Sequence, residues 1–200
     1  MNRLLSTWLR PVCCSALLMG AFFSSQAHAD WQLSQPSEVT FVSAKNTHLL
    51  EVHRFSNISG HVSDDGQALI EIDLSSIDSR IPVRDERMQK HLFEVEQFAK
   101  ASISATIPAD VMAQVKAGQV SRVQQAAVLN LHGSDEPLEL QLLVAPAASG
   151  DVVITSLQPV LVHADDFGLT KGIRLLQDIA KLQVIAEVVP VSFSLTFSPE

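Results

Sequence analysis

Hydrophobic and polar positions alternate with a period of two along most of the chain. In residues 68–74, ALIEIDL, Ala68, Ile70, Ile72 and Leu74 fall on one face and Leu69, Glu71 and Asp73 on the other. Residues 102–107, SISATI, place Ile103, Ala105 and Ile107 opposite Ser102, Ser104 and Thr106. Leu138, Leu140, Leu142 and Val144 share a face, and Val191, Phe193, Leu195 and Phe197 alternate with Ser192, Ser194, Thr196 and Ser198. A strand turns successive side chains to opposite sides, so this pattern predicts antiparallel sheet with one dry and one wet face. Further strands are expected at residues 39–44, 48–55, 58–62, 123–132 and 152–161. Asp64-Asp65-Gly66 is a hairpin signal between two of the strands. Many short strands separated by turns point to a sandwich or a closed barrel, and periodicity does not choose between them.

Three segments leave the alternation. Residues 108–118 begin with Pro108 and end with Gly118, the punctuation of a short helix. Residues 170–182 place Leu175, Ile179 and Leu182 at helical spacing, with Thr170 as the expected N-cap. Residues 81–95, IPVRDERMQKHLFEV, are rich in charge. Pro82 suits a helix start, Asp85 and Glu86 suit the first turn, and Met88, Leu92 and Val95 form one apolar stripe. A charged face toward water and a stripe toward an apolar interior predict a helical cover, over either a cavity or plain core.

The first residues have a separate character. Arg3 and Arg10 precede the apolar run 12–23, and Ala27-His28-Ala29 has small-x-small form. This order is that of a secretory signal peptide, and the run is short for a bilayer span. Cleavage after Ala29 is the expectation, leaving one domain over residues 30–200, exported and periplasmic. Both cysteines, Cys13 and Cys14, precede that point, so residues 30–200 offer neither a disulfide nor a thiolate. They carry 12 basic and 22 acidic residues, a balance of −10 with histidine neutral. That argues against nucleic acid and against anionic lipid surfaces as partners.

Against this background, several motifs resemble those of the YceI family of bacterial polyisoprenoid-binding, lipocalin-like proteins. Arg84-Asp85, Leu92-Phe93 and Phe98 resemble that family's RD pair and the apolar and aromatic positions after it. LNLHGSDEPLEL, residues 129–140, is similar to its L-x-[LI]-[HRN]-G hairpin, with Leu131, His132, Gly133 and Pro137 in place. DDFGL, residues 165–169, and the closing EVVPVSFSLTF follow in the same order. The chain departs from the pattern at Phe98-Ala99-Lys100-Ala101, where Tyr-Pro is usual, at Ser79-Arg80, and at Glu136 before Pro137. The resemblance implies an all-β fold: an extended antiparallel lipocalin-like barrel of about eight strands with two or three short covering helices. It also implies a long apolar or isoprenoid lipid, such as a polyprenyl chain or quinone, held in the barrel, and it raises a homodimer.

The residues expected to meet such a ligand are Phe41, Val52, Phe55, Arg84, Met88, Leu92, Phe93, Phe98, Leu131, Phe167, Leu175 and Ile179. Arg84 carries two readings: a contact to a ligand head group, or bonds to backbone carbonyls with Asp85 capping the helix. No catalytic residue, metal ligand or cofactor other than a bound lipid is expected. His48, Glu51 and His53 lie close in sequence, but only Glu51 and His53 share a strand face. Asp165 and Asp166 are adjacent, which favours a turn over a shared substrate. No serine stands in a G-x-S-x-G elbow and no glycine-rich phosphate loop is present. A barrel filled by its own side chains is the competing expectation.

Overall fold

The computed structural model describes residues 30–147 and 150–200. The expected signal peptide and its cleavage point lie outside the described residues. Among the described residues, eleven strands form one sheet: β1 Trp31–Lys45, β2 Leu49–Phe55, β3 Ile58–Val62, β4 Gln67–Asp73, β5 Ile77–Asp78, β6 Lys100–Thr106, β7 Ser121–Leu131, β8 Ser134–Pro146, β9 Val152–Ser156, β10 Val160–His163 and β11 Val188–Pro199. Three α-helices accompany them: α1 Pro82–His91, α2 Ala109–Lys116 and α3 Thr170–Ala180.

Among the described residues, β1, β3, β4, β6, β7, β8, β9 and β11 pair in a closed antiparallel ring, sealed where β1 meets β11. Closure removes the free edges that an open sheet would expose, and it decides for the barrel over the sandwich. The two strands at the seam are long. β3 and then β2 pair along one edge of β1. β9 and then β10 pair along one edge of β11. Each pair therefore acts as one bent strand, and β2 and β10 carry half of the wall past the ring. The missing half of that extension is filled by α1 and α3. This is the upper end; α2 stops the lower end.

Several boundaries differ from the sequence expectation. β1 begins at Trp31, eight residues earlier than expected. Its register with β11 slips between Ser34 and Glu38, around Pro36, which lacks a ladder donor and hides the alternation. α1 ends at His91 instead of Val95. The Leu92 and Phe93 amides both turn back to the Met88 carbonyl, and Glu94 takes φ +49°. Thr170 is the first residue of α3 and not its cap: Leu169 stands at the N-cap, and the buried Thr170 Oγ1 has no hydrogen-bond partner.

Candidate functional site

The barrel encloses a cavity of about 210 Å³ that runs from Val62, Ile107 and Phe197 near α2 to Leu92, Phe93, Leu169 and Ile173 beneath the upper helices. Its wall is built by the period-two faces. Ile70 and Ile72 come from β4, Ile103 and Ala105 from β6, Leu138, Leu140 and Leu142 from β8, and Val191, Phe193 and Leu195 from β11. Of thirty-one lining residues thirty are apolar. The exception, Gln125, is turned into the wall, its Nε2 donating to the Thr106 and Ala126 carbonyls at 3.1 and 2.7 Å. A surface of this kind recognises shape and hydrophobic area, with no hydrogen bond to offer.

Of the twelve residues singled out from the sequence, Phe41, Phe55, Leu92, Phe93 and Leu131 line this cavity. Met88 and Phe167 are buried in the core around it. Val52, Leu175 and Ile179 lie outside it and are exposed. For Val52 the reason is register: His53 and Phe55 face inward, so Val52 between them faces out. For α3 the apolar face is wide: Ile173 at one side of it is buried, with Leu176 packed on the core, and Leu175 and Ile179 at the other side stay exposed. Gly172 fixes that choice. A Cβ there would sit 2.5 Å from the His91 carbonyl oxygen and 2.9 Å from Leu92 Cα, so only glycine lets α3 cross the end of α1 this closely.

Above the cavity the inner face of β2 passes from apolar to polar. Phe55 lines the cavity, His53 follows, and Glu51 stands at the top. His53 is only 2 % exposed, stacks edge-on against Phe41 at 5.2 Å, and leaves Nδ1 without a partner. Burial, helped by the charges of Arg84 and Lys45, lowers its pKa to about 4, so it is neutral at neutral pH. Glu51 accepts from Lys45 and, at 2.6 Å, from Arg84 Nη1. These partners, Lys45 foremost, hold its pKa down at about 2. Arg84 also donates from Nε to Ser79 Oγ at 2.7 Å and from Nη2 to the Ser79 carbonyl at 2.5 Å. Asp85 Oδ1 accepts from the Ser79 amide at 2.9 Å. The arginine is thus engaged with a backbone carbonyl. Asp85 ties down the turn ahead of α1, while Ile81 at the N-cap position makes no capping bond. His48 lies in the β1–β2 turn, away from the inward face that Glu51 and His53 share.

The sequence matches the YceI-like domain over residues 31–197. The chain belongs to the YceI-like family. Among solved structures, this YceI-like chain is similar to a polyisoprenoid binding domain from Saccharophagus degradans implicated in plant cell wall breakdown. The two are 34% identical, with a TM-score of 0.82, over 86% of this chain and 99% of the other. BcnA of Burkholderia cenocepacia shares the fold at 18% identity and TM-score 0.62, covering 80% of this chain and 95% of that one. The comparison with curated proteins gave no match.

Three of the motifs that carried the YceI resemblance meet at one place on the upper rim. His132 and Gly133 take φ +52° and +82° and close the β7–β8 hairpin, as a two-residue turn with both central φ positive requires. Phe98 packs on the His132 ring at 4.2 Å between centroids and lies over Gly133, where a Cβ would come within 2.9 Å. His132 Nδ1–H donates to the Phe167 carbonyl at 3.1 Å, and Nε2 lies 3.3 Å from Glu94 Oε2. The LHG hairpin, the segment after α1 and DDFGL are therefore one fastening, which holds the two upper helices to the barrel. The lining residues that local sequence does not single out are the strand faces of β4, β6, β8 and β11. Their signal is the alternation itself, which marks fold and lining alike.

Proposed function

We propose that this chain is a non-catalytic, exported carrier that holds the tail of a long apolar lipid, of isoprenoid class, inside the barrel. The observation that carries the reading is the cavity wall: thirty apolar residues, closed at one end by α2 and at the other by two helices. Sheathing an isoprenoid tail removes a large hydrocarbon surface from water, worth roughly 25 cal/mol per Å². The Saccharophagus degradans relative, described as polyisoprenoid binding, supports the ligand class. Residues 1–29, with a basic front, an apolar run and a small-x-small end, support a periplasmic location. The polar groups that gather at the upper end, Glu51, Arg84, Asp85 and His132, bind one another or the backbone, and this supports binding over catalysis.

The test is native mass spectrometry of the protein purified without detergent, followed by organic extraction. An adduct that extracts as a prenyl chain or quinone is expected. A bare mass that persists after incubation with polyprenyl lipids refutes the reading.

The cavity volume favours one alternative. About 210 Å³ is below the roughly 300–1,000 Å³ of common small-molecule sites. It suits a slender chain, or else a barrel filled by its own side chains. Leu92→Trp separates the two. In a carrier it blocks uptake with little loss of stability. In a self-filled barrel it costs about 1–3 kcal/mol by overpacking, with no uptake to lose.

A further inference from the structure

The outward face of the wall changes character along its length. On β11 the outward Ser194 and Ser192 give way to Pro190 and Val188 toward the upper end. On β1, Thr40 gives way to Val42 and Ala44, and on β2, Arg54 gives way to Val52 and Leu50. Val42 pairs with Val52 and Ala44 with Leu50, so the change occurs at one level across neighbouring strands.

The apex beyond that level is stitched together. The Asn46 side-chain oxygen accepts from the Gln183 and Val184 amides at 2.8 and 3.4 Å, and Lys45 bridges to Ile185. Gln177 of α3 bonds the Gln183 carbonyl and the Ile185 amide. The hairpin tip, the segment before β11 and the last turn of α3 are thereby held together, and they present Leu49, Leu50, Val52, Ile179, Val184 and Val188 to water. Leu50 is 68% exposed and Val52 55%.

Charge is divided along the same axis. Residues 42–55, 74–99, 131–136 and 160–191, which build the upper end, hold nine basic and twelve acidic side chains. The rest of residues 30–200 holds three basic and ten acidic. The upper end is thus the less acidic of the two, its Glu51 countered by Lys45 and Arg84 and its Glu187 lying 3.8 Å from Arg174. The more acidic part of the body lies at the other end. The net charge that argues against anionic lipid surfaces therefore describes the body more than the apex.

We propose that the apex docks on the surface of a lipid bilayer, with the hairpin tip and the last turn of α3 dipping into its outer layer. The six side chains expose on the order of 450 Å² together, short of the about 800 Å² per partner that a stable protein interface uses, but ample for interfacial insertion. The less acidic, apolar end faces the lipid while the more acidic body is turned away from it. The lid over the barrel is at this same end, so a water-insoluble tail would pass between bilayer and barrel without crossing solvent.

The experiment is flotation with phosphatidylcholine–phosphatidylethanolamine vesicles that contain no isoprenoid, so its outcome is independent of what fills the barrel. The protein is recovered in soluble form from cells expressing the full chain, and wild type and variants are compared with the same N terminus, fixed by intact mass. Wild type is expected to float with the vesicles, with little dependence on salt. Leu50→Asp combined with Val184→Asp is expected to lower the bound fraction by about ten-fold or more. Leu50→Gln, which adds no charge, lowers it by a smaller factor. Val120→Asp, exposed near the opposite end, leaves it unchanged. Superimposable thermal melts show that the exposed substitutions spare the fold. Wild type that stays with the buffer overturns the proposal, and so does an Asp variant that floats equally well. A wild-type dimer that Leu50→Asp splits, with vesicles left bare, overturns it in favour of a second copy of the chain.

Discussion

At the lower end the barrel is stopped by one helix; at the upper end it is stopped by two, and the two closures are made of different physics. α2 presses the buried Val111 and Met112 against a floor that includes Trp31, Val144, Val152 and Phe197. Its polar ties are peripheral: Lys116 pairs with Asp64 and lies 5.7 Å above the Trp31 ring. The upper closure relies on a close helix crossing at Gly172 and on hydrogen bonds that Arg84 donates to Glu51 and Ser79, Asp85 accepts from Ser79 and His132 donates to Phe167. One end is an extension of the core, and the other is an assembly of fitted parts. The floor should therefore fail only with the whole fold, whereas the lid can loosen first.

Four measurements sharpen or break this contrast. The largest effect is expected at the floor. Met112→Ala should cost about 2–5 kcal/mol in urea unfolding, in a single transition that takes the lid with it. A separate early transition in this variant would break the contrast.

Acid comes next. His53 is held neutral in the fold, with its pKa lowered from 6.5 to about 4, among Arg84, Lys45, Glu51 and Asp85. The unfolded chain takes up this proton first as pH falls, so stability drops between pH 6.5 and 4, by about 2–3 kcal/mol. Glu51, lowered from 4.5 to about 2, adds a loss of the same sign as pH falls from 4.5 toward 2. Hydrogen exchange should show α1 and α3 losing protection before the floor, and His53→Leu should flatten the upper of the two windows.

Gly172→Val should cost about 1–3 kcal/mol and raise exchange selectively in residues 81–99 and 165–185, because its new atoms meet backbone rather than flexible side chains. The smallest effect belongs to Lys116→Met, at about 0–1 kcal/mol, since both partners of its ion pair are partly solvated.

The barrel wall was legible because an enclosed sheet demands alternation: β6 shows it throughout, and β4, β8 and β11 show it with exceptions at Leu69, Leu143, Pro190 and Val188. The same alternation marks most of the cavity lining. The helices were legible as helices but not in which face they bury. Leu175 and Ile179 have the spacing of a buried stripe, yet the contact of Gly172 with His91 turns Ile173 inward. Val52 reads as a core valine until the register of β2 with β1 is known. Arg84 could be placed at the upper rim by resemblance, while its commitment to Ser79 and Glu51 depends on a turn and a strand distant in sequence. Helix orientation and polar partners are tertiary choices, which local pattern does not encode.

The featureless lining has a consequence for any chain inside it. The wall offers hydrocarbon contact at nearly every position, so no polar group along it would mark a particular carbon of a threaded tail. Nothing along the wall counts carbon atoms. In the proposed carrier the count would be made only where the track ends, at the floor residues packed on α2: a chain that bottoms out there would leave outside whatever length exceeds the depth of the barrel.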